Sequence, residues 1–165
     1  MARSLAALAT DARACRLCAA SLPAGPRPVF QVHRLARVLI ASQAPGRRVH
    51  ASGVPFDDIS GDRLRAWMGV DRETFYDARR IAILPMGFCY PGTGPQGDLP
   101  PRAECAPAWR APLLERLERL ELVIAVGRYA QVYHLGDASL GSVTDDVRQW
   151  RRFRPRVVPL PHPSP

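Results

Sequence analysis

The residues of this chain best suited to chemistry are its cysteines, of which there are four. Cys15 and Cys18 form a C-x-x-C pair, and Cys89 and Cys105 follow with a long interval between them. All of these thiols fall into a single tetrathiolate set with none left over. In a reducing compartment such a set holds a metal ion or an iron–sulfur cluster rather than disulfides. On these residues alone, a structural zinc ion with four thiolate ligands fits as well as a cluster does. Either centre would tie the N-terminal segment to the middle of the fold. The second pair brackets a Pro/Gly-rich stretch running from Tyr90 towards Pro107, which reads as a long loop within the domain and not as a linker.

The elements that must position these residues alternate between strand and helix. Arg37–Ser42, Ile81–Leu84, Leu122–Val126 and Val157–Leu160 are short continuous apolar runs, the pattern of strands buried on both faces. Between them, Ser60 is placed to cap a helix running through Arg63, Leu64, Trp67 and Met68 to Gly69, and Asp71 to cap a short one. Leu113, Leu114, Leu117 and Leu120 have helical spacing, and Arg128–Leu135 and Asp145–Trp150 complete the set. This alternation predicts an α/β fold in three layers, α/β/α, around a central four-stranded parallel sheet. Each strand leads into a loop rich in Gly or Pro: Gln43-Ala44-Pro45-Gly46, Pro85 to Gly92, Gly127-Arg128, and Pro161 to Pro165 with His162 inside it. In an open parallel sheet the C-terminal strand ends share an edge, where ligands bind. These loops and His162 are therefore expected to converge on a single cleft.

Composition bounds the reading. At 165 residues, 47% hydrophobic and 23% charged, the chain is expected to form one globular domain over residues 1–165. No run approaches the ~20 apolar residues of a membrane span. The apolar start, Met1 to Thr10, is short and is followed at once by Asp11 and Arg13, so a signal peptide is not expected and a cytoplasmic monomer is. All 23 basic residues are arginine and the net charge is +8, which suits a polyanionic partner. Absence of lysine points to a coding bias, which weakens arguments from any single arginine.

Gln43-Ala44-Pro45-Gly46, Gly53-Val-Pro-Phe56, Ser60-Gly61, the cysteine set and His162-Pro-Ser164 together resemble the uracil-DNA glycosylase superfamily. The resemblance is strongest to its bacterial and archaeal branch that carries a [4Fe–4S] cluster, and it runs over nearly the whole chain. It implies hydrolysis of the N-glycosidic bond of uracil, or of a related deaminated or damaged base, in DNA during base excision repair. It also implies a [4Fe–4S] cluster on Cys15, Cys18, Cys89 and Cys105. By the same resemblance Phe56 stacks on the flipped base, Gln43, Ala44, Pro45 and Gly46 lie against base and sugar, and His162 hydrogen-bonds a uracil oxygen as the bond breaks. Ser164, Arg47 and Arg48 would meet the DNA backbone.

The departures are specific. Gln43 stands where the branch has Glu. Ala44 stands where other branches place a water-positioning Asp or Asn. Pro85 stands where the branch has an Asn that reads the uracil edge. Pro85 offers no amide, so Met86, Gly87 or the Asp57–Asp58 pair is expected to substitute in the base site, with Asp57 or Asp58 as a candidate catalytic carboxylate. The family continues past its His-Pro-Ser motif with another helix, so either the chain is truncated there or that element is missing. Two other readings stand beside the glycosylase. One is a non-catalytic iron–sulfur module of the same fold that binds DNA. The other is a zinc-stabilised α/β protein that uses its cleft for a small molecule.

Overall fold

The computed structural model describes residues 3–164. A parallel sheet of order β2-β1-β5-β6 is formed by β1 (Val38–Ser42), β2 (Ile81–Pro85), β5 (Leu122–Val126) and β6 (Val157–Leu160). A small antiparallel hairpin, β3 (Thr93–Gly94) and β4 (Gly97–Asp98), stands apart from it. The helices are α1 (Leu5–Arg13), α2 (Arg47–Ser52), α3 (Ile59–Met68), α4 (Arg72–Phe75), α5 (Ala111–Glu115), α6 (Gly127–Leu135) and α7 (Val143–Arg148). The four expected strands are the four of the parallel sheet, to within a residue at their ends, and the β3–β4 hairpin is additional to them.

Side-chain alternation along these strands builds the layers. Leu39, Ala41, Ala82 and Leu84 face one way and pack with Leu8 and Ala12 of α1, Leu113 of α5 and Ala130 of α6. Ile40, Ile81, Ile83, Ile124 and Val126 face the other way and pack with Leu64 of α3 and Phe75 of α4. The result is the three-layer α/β/α arrangement. No helix among the described residues is long and apolar enough to cross a membrane.

Several elements depart from the expectation. Asp58, and not Ser60, caps α3: its Oδ1 accepts the Gly61 N–H at 2.8 Å. The chain reaches that cap through Phe56, whose φ of 56° lies in the left-handed region that non-glycine residues avoid. The leucine helix is shorter than its spacing suggests. A π-helical turn, Ala106–Arg110, precedes α5, and Leu117 reaches the core from the turn beyond it. Pro107 and Pro112 remove ladder N–H groups there, which explains the irregular winding. Helix α1 comes from Leu5, Leu8, Ala9 and Ala12 at helical spacing, with Ser4 as its cap, and it delivers the chain to Cys15.

Both outer strands of the sheet are shielded. Gln31 exchanges backbone hydrogen bonds with Ile83 at 2.9 and 2.8 Å, and its side chain donates to the carbonyls of Phe75 and Ile81. On the far side, Pro159 lies within β6.

Arg110 is fully buried beneath the sheet. Its Nε donates to the Leu84 carbonyl at 3.1 Å and its Nη2 to His134 Nε2 at 2.9 Å, so it stitches the π-helical turn to β2 and α6. Burial, reinforced by the Arg110 charge, holds the His134 imidazolium down from an ordinary 6.5 to about 3. The folded protein therefore resists a proton that the unfolded chain accepts near its ordinary value. Stability supplied by neutral His134 is complete above that value and is lost as the pH falls towards 3. We expect a fall of a few kcal/mol across this window, on the scale of 1.36 kcal/mol per pH unit. Thermal melts of wild type and His134→Gln should diverge in acid, the variant showing the flatter profile.

Candidate active site

A cleft of about 200 Å³ opens at the C-terminal edge of the sheet. That is smaller than the roughly 300–1,000 Å³ of drug-sized ligand pockets and suits a single ring or base. Its wall is built from several loops. Ser42, Ala44, Pro45 and Gly46 come from the end of β1, and Ile83 and Pro85 from β2. Pro55, Phe56, Asp58 and Ser60 come from the turn into α3, Asp98 from the hairpin, and His162 and Ser164 from beyond β6. Crossovers leave β1 and β5 in opposite directions, so this cleft stands at the topological switch point of the sheet, where such folds bind ligands.

Phe56 is held for its place. Its ring meets Phe75 edge-on at 6.0 Å, its carbonyl accepts from Arg65 at 3.3 Å, and the preceding Pro55 carbonyl accepts the Tyr76 hydroxyl at 2.7 Å. A bulky ring fixed in a left-handed turn at a cleft wall presents a flat apolar surface for stacking. His162 sits at the mouth. The Ser164 N–H donates to its Nδ1 at 3.2 Å, so the neutral imidazole carries its proton on Nε2 and presents a donor. Desolvation holds the His162 imidazolium below its ordinary range, opposed by the charges of Asp58 and Asp98, which favours this neutral donor form. Arg63 Nη1 of α3 donates to the Ser164 carbonyl at 2.9 Å and anchors the His162 loop.

The cysteines converge elsewhere. Cys15, Cys18, Cys89 and Cys105 all line one cavity whose surface is otherwise largely apolar, with Leu17, Phe88 and Trp109 among its walls. None is in a disulfide. Burial, followed by the charges of the other three cysteines, pushes the Cys105 thiol up to about 12, and burial raises Cys89 as well. Four thiolates at this place would need a strongly cationic centre. Backbone N–H groups of Leu17 and Phe88 already point at Cys15 Sγ and Cys105 Sγ, at 3.4 and 3.3 Å. Trp109 Nε1 and Arg102 Nε, from two residues that line the cavity, are buried without an acceptor among the described residues. Orphan donors around clustered thiols are what an anionic sulfur-rich group would satisfy, so these residues fit an iron–sulfur cluster. Among the described residues no group of three or more His, Cys, Asp or Glu is placed to hold a single metal ion.

The family profile of the uracil DNA glycosylase superfamily matches residues 30–165. The chain belongs to the uracil DNA glycosylase superfamily. Its cleft is accordingly that of a uracil-DNA glycosylase-like domain.

Within this superfamily domain, the structure gathers Ala44, Pro45, Gly46, Phe56, Asp58, Pro85, His162 and Ser164 around one cleft. Other expected site residues lie elsewhere. Met86 belongs to the opposite face of the sheet, buried with Ala41, Ala125 and Ala130, because one residue beyond Pro85 the strand alternation turns the side chain over. Gln43 does not line the cleft; its Nε2 reaches the Leu99 carbonyl at 3.3 Å and secures the hairpin loop. Asp57 faces a shallow groove with Arg48 and pairs with Arg72 at 3.6 Å, so of the two adjacent carboxylates only Asp58 enters the cleft. Arg47 and Arg48 are exposed on α2, beside the loop that ends at Gly46. Sequence reading overlooked Asp98. It lies deep in a loop of low regularity, and only the fold brings it to the cleft. The one local signal was its position in a Gly-flanked turn bracketed by the last two cysteines.

Proposed function

We propose that this protein is a DNA glycosylase that hydrolyses the N-glycosidic bond of uracil or a related deaminated base, and that its cysteines carry a [4Fe–4S] cluster. The observation that carries the reading is the convergence of Phe56, the 44–46 loop and His162 on a base-sized cleft. An enzyme that acts on a base must take it out of the stack and read it in a pocket. Phe56 supplies the stacking face. His162 Nε2–H supplies a donor to the oxygen of the departing base, where negative charge builds as the bond to the sugar lengthens. A fixed donor there favours the transition state over the ground state. The cluster, when bound, supplies a rigid crosslink between the N-terminal segment and the loop after β2. Cys15, Cys18, Cys89 and Cys105 would hold it.

The test is strand breakage. Protein purified without oxygen is incubated with end-labelled DNA containing uracil, beside undamaged DNA. Alkali-labile breaks are expected at the uracil, and His162→Ala should lower the rate about a hundredfold, as loss of one oxyanion donor does, with its thermal melt unchanged.

One observation favours a second reading. Pro85 lines the cleft where the resemblance would place an amide, and it can donate nothing to a base edge. A non-catalytic iron–sulfur module that recognises damaged DNA would show salt-dependent DNA binding without abasic sites in the same assay.

A further inference from the structure

We propose that Asp98 is a further catalytic residue of this cleft, the carboxylate that orients the attacking water and takes its proton. The inference rests on the glycosylase reading above.

The loop that faces the base offers no group for that role. Ala44, Pro45 and Gly46 have no side chain that can accept a proton. Of the carboxylates near the cleft, Asp57 is turned away and paired with Arg72. Asp58 lines the cleft, but it is the cap of α3, its Oδ1 accepting the Gly61 N–H at 2.8 Å, and so is committed to starting that helix. Asp98 is placed differently. Its Oδ1 accepts the Thr93 hydroxyl at 2.9 Å, and that hydroxyl is in turn hydrogen-bonded to the Tyr90 hydroxyl. One oxygen is thus fixed by a short relay, which orients the carboxylate. The other, Oδ2, has no protein donor among the described residues and lies 3.4 Å from where a Cβ on Gly46 would sit. It therefore hangs directly over the loop against which base and sugar would lie.

The hairpin that carries Asp98 is clamped in place. The Leu99 N–H donates to the Gly92 carbonyl at 2.9 Å, the Leu99 carbonyl accepts from Gln43, and the Gly87 N–H donates to the Gln43 carbonyl at 3.1 Å. Topology puts Asp98 and His162 on opposite walls. Asp98 follows β2, at one side of the sheet, and His162 follows β6, at the other. Both nevertheless share one electrostatic environment, since the Asp98 charge is felt at His162. A base held between them would meet a hydrogen-bond donor on one side and a proton acceptor on the other.

The step balances. The C1′–N bond breaks with its electron pair leaving on the base, whose oxygen is hydrogen-bonded by His162 Nε2–H. The sugar becomes cationic at C1′, where the nearby carboxylate stabilises it, as in glycoside hydrolysis. The water oxygen bonds to C1′ and its proton passes to Asp98, then to solvent. The departing base anion takes a proton from solvent.

The experiment compares wild type, Asp98→Asn and Thr93→Val in single-turnover excision on DNA carrying uracil, hypoxanthine or xanthine, with DNA affinity measured in parallel. Asp98 is exposed, so its substitution should leave the melting temperature unchanged. Asp98→Asn is expected to slow excision about a hundredfold, the scale of a general base. Its DNA affinity should be unchanged or tighter, because a negative charge beside a polyanion has been removed. Thr93→Val, which frees the carboxylate without removing it, should fall between. Wild-type activity matched within about threefold by Asp98→Asn overturns this inference and leaves the glycosylase reading standing. Slower excision that tracks weaker DNA binding overturns it too. No abasic sites from wild type on any of the three bases overturns the glycosylase reading and this inference together.

Discussion

Cys15→Ala is expected to abolish the proposed cluster and the cooperative fold in one step. The free energy of a structural metal centre is folding free energy, about 10 kcal/mol or more for metal sites that organise small domains. A domain of this size has a total stability of roughly 5–15 kcal/mol, so losing the centre removes most of it. The geometry says where the damage falls. Cys15 stands one residue past the C-cap of α1, whose Leu8, Ala9 and Ala12 are buried against the sheet. The loop after β2, with Cys89 and Cys105 at its two ends, carries Asp98 to the cleft, held by the Thr93 hydroxyl. Loss of one ligand should free both segments. Wild type purified without oxygen should contain iron and acid-labile sulfide in equal amounts; Cys15→Ala should contain neither, melt without cooperativity and show no excision. A Cys15→Ala protein that stays folded and active would sink the structural role assigned to the cysteines.

The second large effect needs no cofactor. In Gly61→Ala the new methyl would sit 1.7 Å from the Phe56 carbonyl oxygen and 2.8 Å from the Phe56 Cβ. No rotamer relieves a clash with backbone, so either α3 or the Phe56 turn must move. Overpacking with backbone displacement costs about 1–3 kcal/mol, occasionally more; contact this close with a carbonyl should reach the top of that range. The Phe56 turn is already strained at φ 56° and yields first. Its displacement also breaks the Arg65 bond to the Phe56 carbonyl and misaims the ring that lines the cleft. Gly61→Ala should therefore lower the denaturation midpoint by ~3 kcal/mol equivalent and reduce base excision far more than this loss of stability explains. A variant with wild-type stability would show that the turn can relax at no cost.

The sheet was legible because strands buried on both faces write themselves as unbroken aliphatic runs, and Leu39, Ile40, Ala82, Ile83 and Ala125 have no exposed surface. Helix α2 was not, because Arg47-Arg48-Val-His-Ala-Ser buries only Val49 and so has no periodic face to read. The cap of α3 was misplaced by two residues. Asp58 and Ser60 are both good cap formers, and the choice is made by the backbone turn at Phe56, which no local pattern announces. Within the site, residues on strand ends or in motifs of known type were found: Pro45, Gly46, Phe56, His162. Those decided by strand phase or long-range folding were not. Met86 is separated from the cleft by a single step of the β alternation. Asp98 enters it only because hydrogen bonds from Thr93 and Gln43, distant in the chain from one another, fold the hairpin back over Gly46.

The shielding of the sheet has a consequence for how this protein behaves in crowded solution. An outer strand with free N–H and C=O groups is a template on which another chain can grow, and concentrated or partly unfolded protein aggregates through such templates. Here the β2 border is already occupied by Gln31. On the β6 border, the Val123 N–H bonds to the Arg156 carbonyl, which leaves the backbone groups of Val157 and Pro159 pointing away from β5, and Pro159 has no N–H to give. Neither border can be extended as a regular ladder. Fibril-like growth from the native state is closed off at both ends of the sheet, so losses during handling should come from the cysteine-bound region opening, and not from folded molecules zipping together.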